Sequence, residues 1–134
     1  MIRKMQYLFS RGWGTDRIRS MLIHSRLITK YGITVSVASE IGIGLTIPHP
    51  SSITISSYYI GKNFYIYQNT TVGIKERGVA PPKIGNNVTL YANSSVIGDI
   101  TVSDNATVGA NSLLLCNAAE GGIYVGTPAK NIKE

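Results

Sequence analysis

Residues 84–114 read IGNNVTLYANSSVIGDITVSDNATVGANSLL, and every sixth position in this stretch is aliphatic. The same count runs earlier in the chain, with one added residue near positions 56–59 and a second interruption at 73–83. A period of six fits neither an α-helix nor a simple two-residue strand alternation. Hexapeptide periods are typical of a parallel β-helix, whose stacked coils bury one apolar column. The aliphatic positions that keep the count are Val35, Ile41, Ile47, Ile53, Ile60, Ile66, Val72, Ile84, Leu90, Val96, Val102, Val108 and Leu114.

The composition is that of one folded domain. The chain has 134 residues, of which 43% are hydrophobic and 15% charged, and this balance excludes a disordered protein. No apolar run approaches the length of a membrane span, and the N-terminus lacks the features of a secretory signal. Cys116 is the single cysteine, so no internal disulfide can form. We therefore expect a cytoplasmic protein.

The pattern divides the chain into three parts. Residues 1–32 have apolar side chains at helical spacing and predict a short helical cap over the first coil. Residues 33–115 carry the hexads and predict the β-helix, from which 73–83, ending in two prolines, leaves as an extruded loop. Residues 116–134 lose the period, and we expect a terminal cap and tail there.

The net charge of +6 is concentrated near the N-terminus. Seven of the thirteen basic residues precede residue 32, where Asp16 is the one acidic residue. A solvated helical face is the simplest interpretation, and without a nucleic-acid-binding motif we expect no nucleic-acid partner. A cap of this charge is also able to approach an anionic membrane surface.

His49 is the residue best suited to chemistry. It lies two positions after the inward-facing Ile47 and is expected to point outward near a turn, between Pro48 and Pro50. A histidine can take and return a proton near neutral pH, so it is a candidate general base; a surface histidine without a role is the alternative. The other histidine, His24, is interpreted as structural. Two histidines cannot supply the several ligands of a zinc site, so no metal is predicted.

Five motifs in order resemble the hexapeptide-repeat acyltransferases, and most of all the serine O-acetyltransferase branch and its relatives that acetylate surface polysaccharides. The resemblance covers about residues 33–132. It implies a left-handed parallel β-helix of triangular section, a homotrimer with active sites between neighbouring subunits, and acetyl-CoA as co-substrate. The motifs are IPHPSSITI at 47–55, IYQNTTVG at 66–73, PKIGNNV at 82–88, VGANSLL at 108–114 and GTPAK at 126–130.

The resemblance also implies roles for single residues. His49 matches the family's catalytic base, which takes the proton of an acceptor hydroxyl as that hydroxyl attacks the thioester. Gln68 matches a glutamine near the acceptor pocket. Ala92 and Ala110 match alanines whose backbones lie along the pantetheine arm, and Lys130 is similar to a basic residue that meets the CoA phosphates.

Several positions depart from the family pattern. The aspartate before the family histidine is Pro48 here, and the carboxylate that orients the histidine would fall near Thr34. The family's R-H-P-K-I is Ala80-Pro81-Pro82-Lys83-Ile84, so an arginine and a second histidine are absent. Arg77, in the same loop, is a candidate substitute for that arginine. A free amino acid needs a charged partner for each charged group, so these losses argue against serine as acceptor.

A neutral, hydroxyl-rich acceptor fits the remaining residues. Tyr67 is one of five tyrosines expected near the site, where aromatic faces can stack on a sugar; ordinary β-propensity and subunit packing are the alternative. We therefore expect an acetyl-CoA-dependent O-acetyltransferase acting on a carbohydrate hydroxyl of a surface or capsular polysaccharide or its precursor. The alternatives are acetylation of serine or another small metabolite, and a non-catalytic structural or binding β-helix trimer. The five tyrosines are Tyr58, Tyr59, Tyr65, Tyr67 and Tyr91.

Overall fold

The computed structural model describes residues 1–12 and 14–133. Two helices come first, α1 over Ile2–Ser10 and α2 over Thr15–Tyr31. Short strands follow throughout the rest of the described chain. They are β1 Ile33–Val35, β2 Glu40–Ile41, β3 Ile53–Ile55, β4 Tyr59–Ile60, β5 Tyr65–Ile66, β6 Thr71–Gly73, β7 Lys83–Ile84, β8 Thr89–Leu90, β9 Ser95–Ile97, β10 Thr101–Val102, β11 Thr107–Val108, β12 Leu113–Leu114, β13 Ile123–Gly126 and β14 Ala129–Asn131.

The strands form three parallel sheets that the chain visits in rotation. Sheet 1 contains β1, β3, β6, β9 and β12, sheet 2 contains β2, β4, β7 and β10, and sheet 3 contains β5, β8, β11, β13 and β14. In the described ranges, strands β1 to β13 pair in parallel with strands one coil away, whereas β14 pairs antiparallel with β13. The result is a parallel β-helix of about five coils, as the hexads predict, and it is left-handed, as the resemblance implies.

The core is the column of inward aliphatic side chains. Each central strand has an inward side chain that is fully buried, and the register stacks equivalent residues on one another: Ile60 on Ile84 in sheet 2, and Ile66 on Leu90 in sheet 3. Because each coil buries its apolar residues only against its neighbours, the end coils need covers. The helices cover one end, where Met5 and Leu27 join the core cluster.

The helical cap is tied to the first coil by polar contacts as well. Gln6 Nε2 donates to the Ser39 carbonyl at 2.7 Å, the Arg3 guanidinium donates to the Gly42 carbonyl, and Ser20 Oγ joins the helices by donating to Met5 O at 2.8 Å. Of the helices in the described ranges, none is long and apolar enough to cross a bilayer.

The first interruption of the hexads lies elsewhere than the sequence predicts. Ile55, and not Ile53, stacks with Val35 and Val72 in sheet 1, while Ile53 pairs with Ile33. Eight positions therefore separate Ile47 from Ile55, and only five separate Ile55 from Ile60. The extra residues are in the segment that carries His49, and the predicted added residue at 56–59 is wrong. Ile53 hides the shift because both isoleucines of β3 are buried.

The second interruption removes one whole hexad from the coil. Val72 lies in sheet 1 and Ile84 in sheet 2, although twelve positions separate them, so six surplus residues leave the coil within the loop 74–82. Gly73 and Lys83, the predicted loop ends, are themselves the last and first residues of strands β6 and β7. Pairing also continues beyond residue 115, where Ala118 bridges Val102 and β13 extends sheet 3.

The corner between sheets 2 and 3, hereafter corner 2–3, has the same form in every coil. Three positions after the inward residue the backbone has positive φ, which glycine and asparagine tolerate best. The asparagine side chains join into a ladder: Asn63 Nδ2 donates to Asn87 Oδ1, and Asn87 Nδ2 donates to Asn105 Oδ1, both at 3.0 Å. The positive-φ residues of this corner are Gly44, Asn63, Asn87, Asn105 and Gly121.

Candidate active site

His49 lies where the chain turns from sheet 3 to sheet 1, hereafter corner 3–1. Its side chain is exposed, as the sequence predicts. Ser51 N–H donates to the His49 carbonyl at 2.9 Å, which closes a tight turn around Pro50, and Ser52 then takes a φ of 52°. The prolines fix φ on both sides of His49, so this segment presents the imidazole from a stiff backbone.

The corner stacks three more predicted site residues beneath that turn. Backbone hydrogen bonds of 3.0–3.1 Å run from Asn69 N to Ser51 O, from Asn93 N to Gln68 O, and from Asn111 N to Ala92 O. Ser51, Gln68, Ala92 and Ala110 therefore occupy the same position of successive coils. With about 4.8 Å between neighbouring strands, this column extends roughly 14 Å from the His49 turn to Ala110.

An aromatic row flanks the column. The Tyr67 and Tyr91 rings are stacked, with centroids 5.2 Å apart and an angle of 18° between their planes. Tyr65 lies 5.4 Å and His49 6.3 Å from the Tyr67 ring. Loss of water around the ring, and then the neighbouring Tyr65 and Tyr91, raise the pKa of the Tyr67 phenol above its usual 10.0. This phenol therefore stays protonated at neutral pH and can donate a hydrogen bond.

Gln68 carries an unpartnered oxygen at this corner. Its Oε1 atom is buried, yet no hydrogen-bond donor reaches it from the described residues. A buried polar atom without a partner costs free energy, so it points to a donor that comes from outside the chain. A bound ligand or a neighbouring subunit can provide that donor.

The hairpin of β13 and β14 meets the far end of the column. Thr127 Oγ1 donates to Asn111 O at 3.2 Å, which joins the hairpin turn to corner 3–1. The aromatic row stops here because a side chain at Gly109 would meet Val125 Cγ1 at 2.7 Å. Lys130 pairs with Val125 across the hairpin, and its side chain is exposed.

Arg77 is not near His49 within one chain. It is exposed on the loop 74–82, which leaves at the corner between sheets 1 and 2, hereafter corner 1–2. Tyr58 and Tyr59 also belong to corner 1–2, so the tyrosines do not form the single cluster that the sequence predicts. A cleft of about 450 Å³ opens under the loop, and none of its lining residues is charged: Ser36, Ser56, Ser57, Tyr58, Ile74, Gly78, Val79, Ala80 and Pro81.

No orienting partner for His49 is present in the described ranges. Thr34, the position where the family has a carboxylate, pairs with Thr54 on β1 and β3, and no side chain of the described residues hydrogen-bonds to the His49 ring. The same ranges contain no group of three or more His, Cys, Asp or Glu side chains that could hold a metal ion.

Sequence reasoning missed the two extra residues in the turn around Pro50 and the contribution of Thr127. The two-residue excess between Ile47 and the residue that stacks on Val35 was the available signal for the turn. Ile53 kept the count of six and concealed it. For Thr127 the sequence holds no signal, because its contact depends on how the hairpin folds back.

The comparisons with known proteins agree with this architecture. The family described as bacterial transferase hexapeptide (six repeats) matches residues 81–116. A serine acetyltransferase of Staphylococcus xylosus is 38% identical over 106 residues, which are 77% of this chain and 49% of that protein. The chain is thus a hexapeptide-repeat protein that is similar in sequence to acyltransferases of that class.

Solved structures narrow the likeness to one branch. The serine acetyltransferase of Neisseria gonorrhoeae, in complex with serine, superposes with a TM-score of 0.86 at 27% identity. The aligned region covers 98% of this chain and 54% of that chain. A serine acetyltransferase in complex with CoA superposes with a TM-score of 0.84, and the aligned region covers 98% of this chain and 54% of that chain. Because the identity is 24%, this likeness shows the fold alone. The chain is serine acetyltransferase-like, and it spans about half the length of the relatives it matches.

Proposed function

We propose that the protein is an acetyl-CoA-dependent O-acetyltransferase that uses a small, hydroxyl-bearing acceptor. The observation that carries this proposal is corner 3–1, which aligns an exposed histidine with a column of Gln68, Ala92 and Ala110. Relatives named serine acetyltransferases support the acetyl group and the small acceptor, and they favour this alternative over the polysaccharide that the sequence analysis puts first.

The proposed reaction needs one proton carrier. His49 takes the proton of the acceptor hydroxyl while its oxygen attacks the thioester carbonyl carbon of acetyl-CoA. The carbon–sulfur bond then breaks, and the imidazolium returns the proton to the departing thiolate. The products are the acetyl ester and free CoA, so atoms and charges balance without a metal or an oxidant.

The column at corner 3–1 has dimensions that suit acetyl-CoA, the donor of the acetyl group. The small side chains of Ala92 and Ala110 leave room beside the backbone for the extended pantetheine arm of CoA, over the roughly 14 Å from the His49 turn. We assign Lys130, at the far end, to the CoA phosphates, where an exposed cation is suited to the charge. We assign Gln68 and Tyr67, beside His49, to the acceptor.

Completion of the acceptor site requires a second chain in this proposal. His49 and the loop that carries Arg77 lie at different corners of the same triangular section, so one chain does not bring them together. In a homotrimer a neighbour's loop cleft can face His49. The unpartnered Gln68 oxygen and the exposed rings of Tyr91 and Tyr58 support such an interface.

A carbohydrate acceptor is the second candidate, and one observation favours it. The cleft under the loop has serine hydroxyls, Tyr58 and apolar residues, and no charged group among its lining residues. An amino acid would leave its ammonium and carboxylate without ionic partners there, whereas a sugar needs hydroxyl partners and an aromatic face.

The test is CoA thiol release from acetyl-CoA with serine, simple sugars and oligosaccharides as acceptors. His49→Ala is expected to lower the acceptor-dependent rate by about 10²–10⁴. Its unfolding midpoint should not change, because the side chain is exposed. The preferred acceptor decides between the two candidates. Equal rates in wild type and mutant would remove His49 as the base, and absence of acetyl-CoA binding would leave a non-catalytic β-helix.

A further inference from the structure

The outer face of α2 carries apolar side chains that are largely exposed. Ile18, Met21 and Leu22 are 60%, 64% and 60% exposed. Their i, i+3, i+4 spacing places them on one face of the helix, opposite the buried Ser20 and Leu27. A helix of this length extends about 25 Å. The exposed stripe is thus a surface that lacks a partner, since the inner face already meets α1 and the first coil.

Cations border this stripe. A groove between α1 and α2 is lined by Lys4, Arg19 and Arg26 together with Leu8, Leu22 and Ile23. Arg19 lies 3.6 Å from Asp16, and neither Lys4 nor Arg26 forms an ion pair in the described ranges. Apolar and basic side chains therefore share one continuous surface.

The charge of the molecule resides in this cap. Residues 1–31 contain seven basic residues and one acidic residue, whereas the remainder of the chain contains six of each. The β-helix is thus electrically balanced, and the net charge of +6 belongs to the helices. Arg3 contributes to this charge, and its hydrogen bonds to the first coil hold the cap in place.

We propose that the outer face of α2, with the groove between α1 and α2, binds the surface of an anionic phospholipid bilayer. Interfacial helices combine a basic polar surface with an apolar face that enters the boundary between headgroups and acyl chains. The exposed isoleucine, methionine and leucine fit that boundary, and Lys4, Arg19 and Arg26 fit lipid phosphates.

Two other occupants fit these observations less well. A second copy on the same face would bring two strongly basic surfaces together, and like charges at a contact oppose association. A nucleic acid would use the cations but would leave Ile18, Met21 and Leu22 exposed to water. A membrane surface satisfies the charge and the apolar stripe together. This inference stands independently of the acetyl transfer proposed above.

The test is co-sedimentation of the full chain with vesicles of phosphatidylcholine alone and of phosphatidylcholine with phosphatidylglycerol. Binding is expected only to the anionic vesicles. Arg26→Glu should weaken it by at least about fivefold, since each basic residue near such a surface contributes about that factor. Leu22→Ser should weaken it by on the order of tenfold. Salt of about 1 M, where charges are screened beyond roughly 3 Å, should reduce binding of the wild type.

Matched substitutions on the β-helix serve as controls. Lys62→Glu makes the same charge change on an exposed residue, and Ile43→Ser removes a similar apolar side chain that is 66% exposed. Neither should change vesicle binding. The proposal is overturned if wild type does not distinguish the two vesicles, or if Lys62→Glu acts as strongly as Arg26→Glu. It is also overturned if Leu22→Ser changes only the oligomeric state in sedimentation.

Discussion

Corner 2–3 and corner 3–1 are built from the same kind of turn, but they differ in regularity. At corner 2–3, six positions separate the inward residues in every coil, from Ile41–Ile47 to Ala118–Tyr124. At corner 3–1 the first passage takes eight positions, and the surplus carries His49. Corner 2–3 joins its asparagines to one another, whereas corner 3–1 leaves Gln68 Oε1 without a partner. We therefore expect corner 2–3 to contribute stability, and we propose that corner 3–1 contacts the ligand.

The largest expected effect is on coil spacing at corner 2–3. Gly61→Ala would place a Cβ 2.5 Å from the backbone of Gly85, and neither coil can retreat without losing its pairing. We expect a loss of about 3 kcal/mol in the free energy of unfolding, measured in urea. Gly73→Ala is the matched control, because its Cβ would meet side chains at 3.6–3.7 Å, an ordinary contact. Similar losses in both variants would refute the steric argument.

A matched pair of asparagines isolates the ladder. Asn87 and Asn93 both have positive φ, at 54° and 61°, but only Asn87 forms side-chain hydrogen bonds within the described residues. Alanine at either position would have to adopt the left-handed backbone conformation, which lowers the stability of both variants. Asn87→Ala also loses the ladder hydrogen bonds, so it should lose about 1–2 kcal/mol more than Asn93→Ala. Thermal and urea unfolding of the two variants measure the difference. A difference near zero would mean that the ladder adds no net stability.

Gln68 allows the opposite test, that of a residue at corner 3–1 expected to contribute to ligand binding and not to stability. Gln68→Met keeps the size of the side chain and removes the unpartnered oxygen, so the stability should change by less than about 1 kcal/mol. The KM for acceptor or acetyl-CoA should rise. Gln6→Met is the control, because Gln6 donates to Ser39 at 2.7 Å and its loss should lower stability without changing kinetics. An unchanged KM for Gln68→Met would exclude Gln68 from the site.

The smallest effect is a pH dependence at corner 2–3. Hydrogen bonds from the Asn86 side chain and backbone, at 3.0 and 2.7 Å, lower the pKa of Asp104. A depressed folded-state pKa stabilises the fold above the unfolded value, and this stability is lost as the pH falls through the folded value. The melting temperature of Asp104→Asn should therefore lie below that of the wild type at pH 7, and this difference should disappear below about pH 4. A difference that is independent of pH would exclude the carboxylate as its cause.

The sequence predicts the fold well because a single repeated position determines it. Once every sixth residue must be buried, the coil, the three sheets and the outward direction of His49 follow. The location of the first interruption does not follow, since Ile53 and Ile55 alternate with Thr54 and both are buried. Only pairing with β1 reveals which of them stacks on Val35.

The site is predicted less completely. The resemblance to the family indicates Gln68, Ala92 and Ala110, and the period places them at equivalent positions of successive coils. Residues at different corners are not placed in this way, because a six-residue count does not say how far an extruded loop reaches. Sequence analysis gives Arg77 as a substitute for a family arginine and Tyr58 as one of the tyrosines near the site, and the structure puts both at corner 1–2. The oxygen of Gln68 is recognised as unpartnered only when its surroundings are known.

The loop 74–82 has a consequence for how this architecture can diversify. Its ends are held by pairing in adjacent sheets, and it contributes no inward residue to the column. The entropic cost of closing a loop grows slowly with its length, so insertions and deletions here leave the coils on both sides in register. Selection can therefore vary the length and the chemistry of this loop while the sequence requirements of the β-helix stay the same.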